Sequence, residues 1–219
     1  MEKHEKLPLD INTLLDVFGI EVISTSIVLD DWLNVGYELT PAQADLLQAA
    51  QASFLLQGDE WNEEELKVKF LSFLFFIADI DTPKKIQTFY ERSLSATVSG
   101  ELLAVKCDCM VATPKGKGAP KYPYFFLQEF KKQKGDKADP EGQMFAAMLI
   151  ARQLNPIAEN QTVMPVYGAW LVGNQWRFTV LDQNQYAYSR YYDATDSGDL
   201  LQIVYILRKL KDIILARIL

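Results

Sequence analysis

The triplet Glu129-Phe130-Lys131 closes the apolar run Tyr124-Phe125-Phe126-Leu127-Gln128, and a lone Asp108 interrupts an earlier apolar run. Successive side chains on a strand point to opposite faces, so Glu129 and Lys131 would share a face while Phe130 turns away. With Asp108 on the neighbouring strand, two carboxylates and an amine can meet at one point. Magnesium prefers octahedral oxygen ligation, keeps several waters and is commonly held by one or two carboxylates. Asp108 and Glu129 are therefore candidate ligands for Mg (or Mn), with the carbonyl of Phe130 as a third oxygen. Lys131 would sit about 6–7 Å along the strand from Glu129. There it could orient a metal-bound water, ease its deprotonation or stabilise charge developing on a phosphorus centre. A lysine beside two carboxylates stays charged and lessens their mutual repulsion.

The rest of the composition narrows the choices. The only histidine is His4, near the start of the chain, which leaves Ser-His-Asp, Cys-His and haem chemistry without a suitably placed base or ligand. Cys107 and Cys109 are the only cysteines and are one residue apart, a poor spacing for a disulfide. On a regular strand they would share the face opposite Asp108, as buried structural thiols rather than a zinc or redox pair. Net charge is −7, yet between Lys106 and Lys137 eight lysines stand against three acids, Asp108, Glu129 and Asp136. A basic segment around an acidic cluster suits a phosphate-bearing ligand. The longest apolar stretch, 70–78, is interrupted by Ser72 and is far shorter than the ~18 residues of a membrane span. The charged start, Met1-Glu2-Lys3-His4-Glu5-Lys6, lacks a signal-like apolar core, so a cytoplasmic protein is expected.

These residues need elements to position them. Residues 7–39 show no clean period and read as irregular, so 1–60 is expected to be an N-terminal elaboration and 61–219 the core domain. Thr40-Pro41 predicts an N-cap and first turn for a helix to about 56, stopped by Gly58. Asn62 then caps a helix with an acidic first turn, Glu63-Glu64-Glu65, favourable at the positive end of the helix dipole. Its core-facing stripe is Leu66, Phe70, Phe73, Leu74 and Ile77, and Glu63 starts that stripe, which makes it a candidate to reach the site. Strands are predicted over 102–113 and 124–132, joined by a Pro- and Gly-rich loop over 114–120. Asp139-Pro140-Glu141 opens a helix to about 154 that carries Gln143 early. Residues 164–189 read as a β-meander, and 199–219 as an apolar helix for the core or a subunit contact. The class is α/β (or α+β), a mixed sheet flanked by helices.

Asp108, the twenty-one-residue step across a hairpin to Glu129-Phe130-Lys131, and the following helix with Gln143 resemble the PD-(D/E)XK nuclease superfamily. The resemblance spans roughly 60–180, and Trp61-Asn62-Glu63 corresponds to that family's first core helix. It implies a restriction-endonuclease-like core and metal ligation by Asp108 and Glu129. It also implies water activation by Lys131, a site completed by Glu63, and Gln143 contacting DNA or the lysine. The stretch Tyr124-Phe125-Phe126-Leu127-Gln128-Glu129 and the strand Pro165-Val166-Tyr167-Gly168 also resemble uncharacterised bacterial proteins. Cys107 stands where the family pattern has Pro before the Asp.

Three functions compete on the sequence. The first is Mg-dependent phosphodiester hydrolysis of DNA, or of RNA. The second is a catalytically weak or inactive nuclease-fold protein serving as a nucleic-acid-binding or assembly module, which the acidic remainder of the chain favours. A module of this length is expected to work in a homodimer or a larger protein assembly. The third, acid–base hydrolysis of sugars by Asp108 and Glu129, is disfavoured by Lys131 on their face. Tyr186, Tyr188, Arg190, Tyr191 and Tyr192 could stack bases, although packing on an edge strand explains them more simply.

Overall fold

The computed structural model describes residues 7–116, 118–130, 139–155 and 164–218, without the side chains of 127–130 and 217. A seven-stranded mixed sheet, ordered β1-β7-β6-β5-β4-β3-β2, divides the molecule into two apolar layers. Helices α1 (Ile11–Phe18) and α6 (Pro140–Leu154) cover one face. The other carries α2 (Ile27–Leu33), α3 (Pro41–Gln57), α4 (Glu63–Leu66), α5 (Ser72–Ile77) and α7 (Ser197–Ile218). The α/β class with a mixed sheet and flanking helices is therefore observed. No helix among the described residues is long and apolar enough to cross a membrane.

Local sequence explains most elements. Thr40 and Asn62 each form a capping box, with Gln43 and Glu65 as partners, satisfying amides left open by the first turn. The region 7–39 is not irregular. Asp10 and Ser26 cap two helices of eight and seven residues, too short to display a period, and β1 (Glu21–Val22) pairs in parallel with β7. Trp32 of α2 lies fully buried, donating its indole N–H to the Ile206 carbonyl at 2.9 Å and meeting Phe125, Tyr167 and Phe178 edge-on. Asp139 does not cap α6 with its side chain. Its carboxylate instead accepts from the Ile11 amide at 2.8 Å, tying α1 to α6.

One end of the sheet is a three-stranded antiparallel meander of β2 (Gln87–Val98), β3 (Glu101–Lys115) and β4 (Ala119–Phe130), with β2 as the edge strand. The two-strand hairpin expectation lacked β2, whose signal was the turn Ser99-Gly100, both at positive φ. The predicted loop 114–120 also shrinks, because Pro114 pairs with Pro120 at the hairpin tip. Among the described residues the pairings of β2 and β5 reach only Ala112 and Phe125, so these prolines interrupt no ladder to a further strand. From β4 the chain passes through α6 to β5 (Val166–Val172), which lies parallel to β4. β6 (Gln175–Asp182) and β7 (Gln185–Asp193) complete the expected meander. α7 buries Leu200, Ile203, Val204, Ile206, Leu207, Leu210 and Ile214, which makes it a core helix.

Candidate functional site

A π-turn over Lys67–Leu71 joins α4 to α5. This widened turn shifts the phase of the apolar stripe: Leu66, Phe70, Leu74 and Ile77 are buried as expected, but Leu71 and Phe75 join them and Phe73 is left exposed. Lys67 is buried with them, at 5% exposure. Its ammonium lies 3.3 Å from Asp108 Oδ1, 3.3 Å from Glu63 Oε1 and 3.5 Å from Glu64 Oε1, and it pairs with Glu91 Oε1. Glu91 Oε2 pairs in turn with Lys106.

Strand geometry delivers Asp108 to this point. Leu103, Val105 and Cys107 belong to the layer under α6, whereas Cys109 and Val111 belong to the opposite layer. The two thiols therefore do not share a face, because strand alternation changes phase at Asp108. Opposite, the β2–β3 ladder pairs Tyr90 with Cys109 and Arg92 with Cys107 but passes over Glu91, whose φ is +54°. A non-glycine residue in this left-handed region costs about 1–3 kcal/mol and persists where its surroundings hold it. Here two lysines grip the Glu91 carboxylate.

The charges reinforce one another. Burial favours neutral Lys67, but the Glu91 hydrogen bond and the charges of Asp108, Glu63 and Glu91 outweigh it and raise its pKa well above the usual lysine value. Burial likewise pushes against ionised Glu91, yet hydrogen bonds from Lys106 and Lys67 hold its pKa below the ordinary 4.5. Burial and the neighbouring Asp108 charge push the Cys107 thiol up to about 12, so it is no nucleophile at neutral pH. Among the described residues, four carboxylates and two ammoniums leave this cluster with a double negative charge.

The sequence-derived site residues are distributed as follows. Asp108 and Glu63 come together through their shared contact with Lys67. Glu129 lies on β4, two residues beyond the Cys109–Leu127 pair and in register with Leu171 of β5; Phe130 follows, opposite Val172. Lys131 lies outside the described residues, as do Lys117, Lys132, Lys134 and Lys137 of the basic segment. Gln143 occupies the first turns of α6, a helix packed on the face of the sheet opposite Lys67. Sequence reasoning missed Lys67, Glu91 and Lys106. The Glu63-to-Lys67 spacing was the available signal for the first, since residues four apart are neighbours on a helix.

The tyrosine group divides in two. Tyr186 and Tyr192 are buried, and Tyr186 donates to the Glu141 carboxylate at 2.9 Å. Tyr188 and Tyr191 are exposed, with the Arg177 guanidinium 3.8 Å and 4.7 Å from their ring centres. β7 is also not the sheet edge, because β1 pairs outside it.

No group of three or more His, Cys, Asp or Glu side chains able to hold a metal ion occurs among the described residues. The groups around Asp108 are carboxylates, the donor type that hard cations take, and in this arrangement they surround the Lys67 ammonium. The sequence matches no known protein-family model, and no curated protein is significantly similar to it.

Proposed function

We propose that this chain is a metal-dependent phosphodiester hydrolase of the PD-(D/E)XK type, cutting DNA with Mg or Mn in the cytoplasm. The observation that carries this reading is Asp108, buried on the antiparallel meander at the β2 end of the sheet, next to the strand of Glu129 and drawn through Lys67 to the acidic start of α4. The run of helix, three antiparallel strands, helix and parallel strand supports a restriction-endonuclease-like core, since it provides the mixed sheet and flanking helices which that resemblance implies.

In this reading Asp108, Glu129 and the Phe130 carbonyl hold the ion. A bound Mg supplies Lewis acidity and lowers the pKa of water at the scissile phosphate. Lys131 orients the attacking water and takes up part of the charge that develops in the transition state. The Lys-rich segment from about Thr113 to Lys137 meets the backbone phosphates.

The test is cleavage of plasmid, linear duplex and single-stranded DNA in Mg or Mn by wild type, Asp108→Ala and Lys131→Ala, with folding checked by circular dichroism. Wild type cuts at least one substrate, and each variant loses on the order of 10²-fold or more in rate. Undiminished cutting by folded Asp108→Ala would sink the proposal. One observation favours a second reading, a nuclease-fold module that binds nucleic acid or a protein assembly without cutting it: a lysine already pairs with Asp108. Wild-type DNA binding with no cleavage in either metal would establish that reading instead.

A further inference from the structure

Lys67 has two sets of partners. On the inner side are Asp108, 10% exposed in its side chain, and Glu91; on the outer side are Glu63 and Glu64, 54% and 71% exposed. The outer pair are its own helical neighbours four and three residues back, so they remain within reach of the same ammonium in an outward rotamer. Glu91, for its part, keeps Lys106. The contacts are thus redundant: if the Lys67 ammonium left Asp108, Lys67 and Glu91 would each retain an opposite charge.

We propose that Lys67 is the site's resident counter-ion, and that a divalent ion loads at Asp108 by displacing the ammonium outward onto Glu63 and Glu64. The inference rests on the metal-dependent reading above. An ammonium 3.3 Å from Asp108 Oδ1 and a dication bound to that carboxylate repel each other, so the two cations compete for it. A lysine suits the exchange, since its charge is a compact point at the end of a four-carbon stem with rotatable bonds. Lys67 thereby sets the metal affinity and, through α4 and the π-turn, links metal loading to the side of the molecule that presents Glu63 and Glu64.

Two measurements on the full chain decide the matter. Calorimetric titration of Mn into wild type, Lys67→Met and Asp108→Asn comes first. Reductive methylation of wild type in chelator and in saturating Mn, with Lys67 followed by peptide mass mapping, comes second. Lys67→Met is expected to bind Mn about tenfold more tightly than wild type, within the usual range for two linked binding events. Asp108→Asn binds weakly or not at all, and Mn accelerates Lys67 methylation about tenfold by raising the population of the outward, accessible ammonium. Equal affinities in wild type and Lys67→Met overturn the exchange while leaving the metal site standing. So does Mn binding that leaves Lys67 methylation unchanged, a result obtained on wild type even if Lys67→Met does not fold. Absence of Mn binding in both wild type and Lys67→Met overturns the exchange together with the metal-dependent reading.

Discussion

Under α6, the face of the sheet is closed by packing, with one polar tie from Tyr186 to Glu141. Met144 to Ala151 are buried in an unbroken run, and the buried Thr179 hydroxyl lies 3.6 and 3.8 Å from the sulfurs of Met144 and Met148. Backbones approach so closely that a Cβ on Gly142 would stand 2.2 Å from the Leu9 carbonyl oxygen and 2.8 Å from the Ile11 nitrogen. Across the sheet, the Lys67 region puts charged groups where the α6 face puts methyls. Its fit comes from overlapping ion pairs, not from interlocking shapes. A jigsaw contact has one solution and resists change. A redundantly paired cluster has several arrangements of similar energy, and chemistry can use that freedom.

The largest expected effect breaks the charged face. Lys67→Met in chelator leaves Asp108 without its buried cation and should lower unfolding stability by roughly 3–5 kcal/mol, read by urea denaturation. A loss below about 1 kcal/mol would mean the cluster behaves as a solvated surface network. Next comes the packed face. Gly142→Ala must move backbone to make room and should cost about 1–3 kcal/mol in the same assay. Gly168→Ala sharpens the contrast. Its new methyl would meet only side chains, the sulfurs of Met144 and Met148 at 2.7 and 3.0 Å and the Thr179 hydroxyl at 3.0 Å. Methionine gives way easily, so the cost should stay below about 1.5 kcal/mol. If the two alanine variants lose equal stability, the Leu9 contact is not the rigid constraint inferred from its geometry.

The smallest effect concerns pH. Glu91 has a folded-state pKa below its ordinary 4.5, so its contribution is fully present above that value and fades as pH falls through the folded-state value. Stability measured from pH 6 down to 3 should therefore fall less steeply in Glu91→Gln than in wild type. The difference should be about 1 kcal/mol at most, because Glu91 is one-third exposed and water screens its pairs. An identical acid slope in the two proteins would remove Glu91 from the account of this face.

Much of the scaffold was legible because its signals are local. Caps at Thr40 and Asn62, Pro at the head of α3 and α6, and the turns at Gly173-Asn174 and Gln183-Asn184 act over three or four residues and appear directly in the chain. The short helices α1 and α2 escaped because seven or eight residues hold barely two turns of periodicity. β2 escaped because Thr, Ser, Arg and Glu dilute its alternation, and the meander was consequently short by a strand. At the candidate site, Asp108 stood out as a charge inside an apolar run. Lys67 did not, because an ordinary helix would have carried it round to solvent beside Glu63 and Glu64.

The chain by itself determined the mixed α/β class, the strand carrying Asp108, the strand carrying Glu129 and the acidic helix start at Glu63, since alternation, capping and turn chemistry are properties of neighbouring residues. Only the tertiary structure decided that a π-turn aims Lys67 inward and that both strands change phase at Glu91 and Asp108. It also put Cys107 and Cys109 in different layers. Those outcomes depend on which helix and which strands press together, and the energy of a buried charge is set by groups 24 and 41 residues away in sequence.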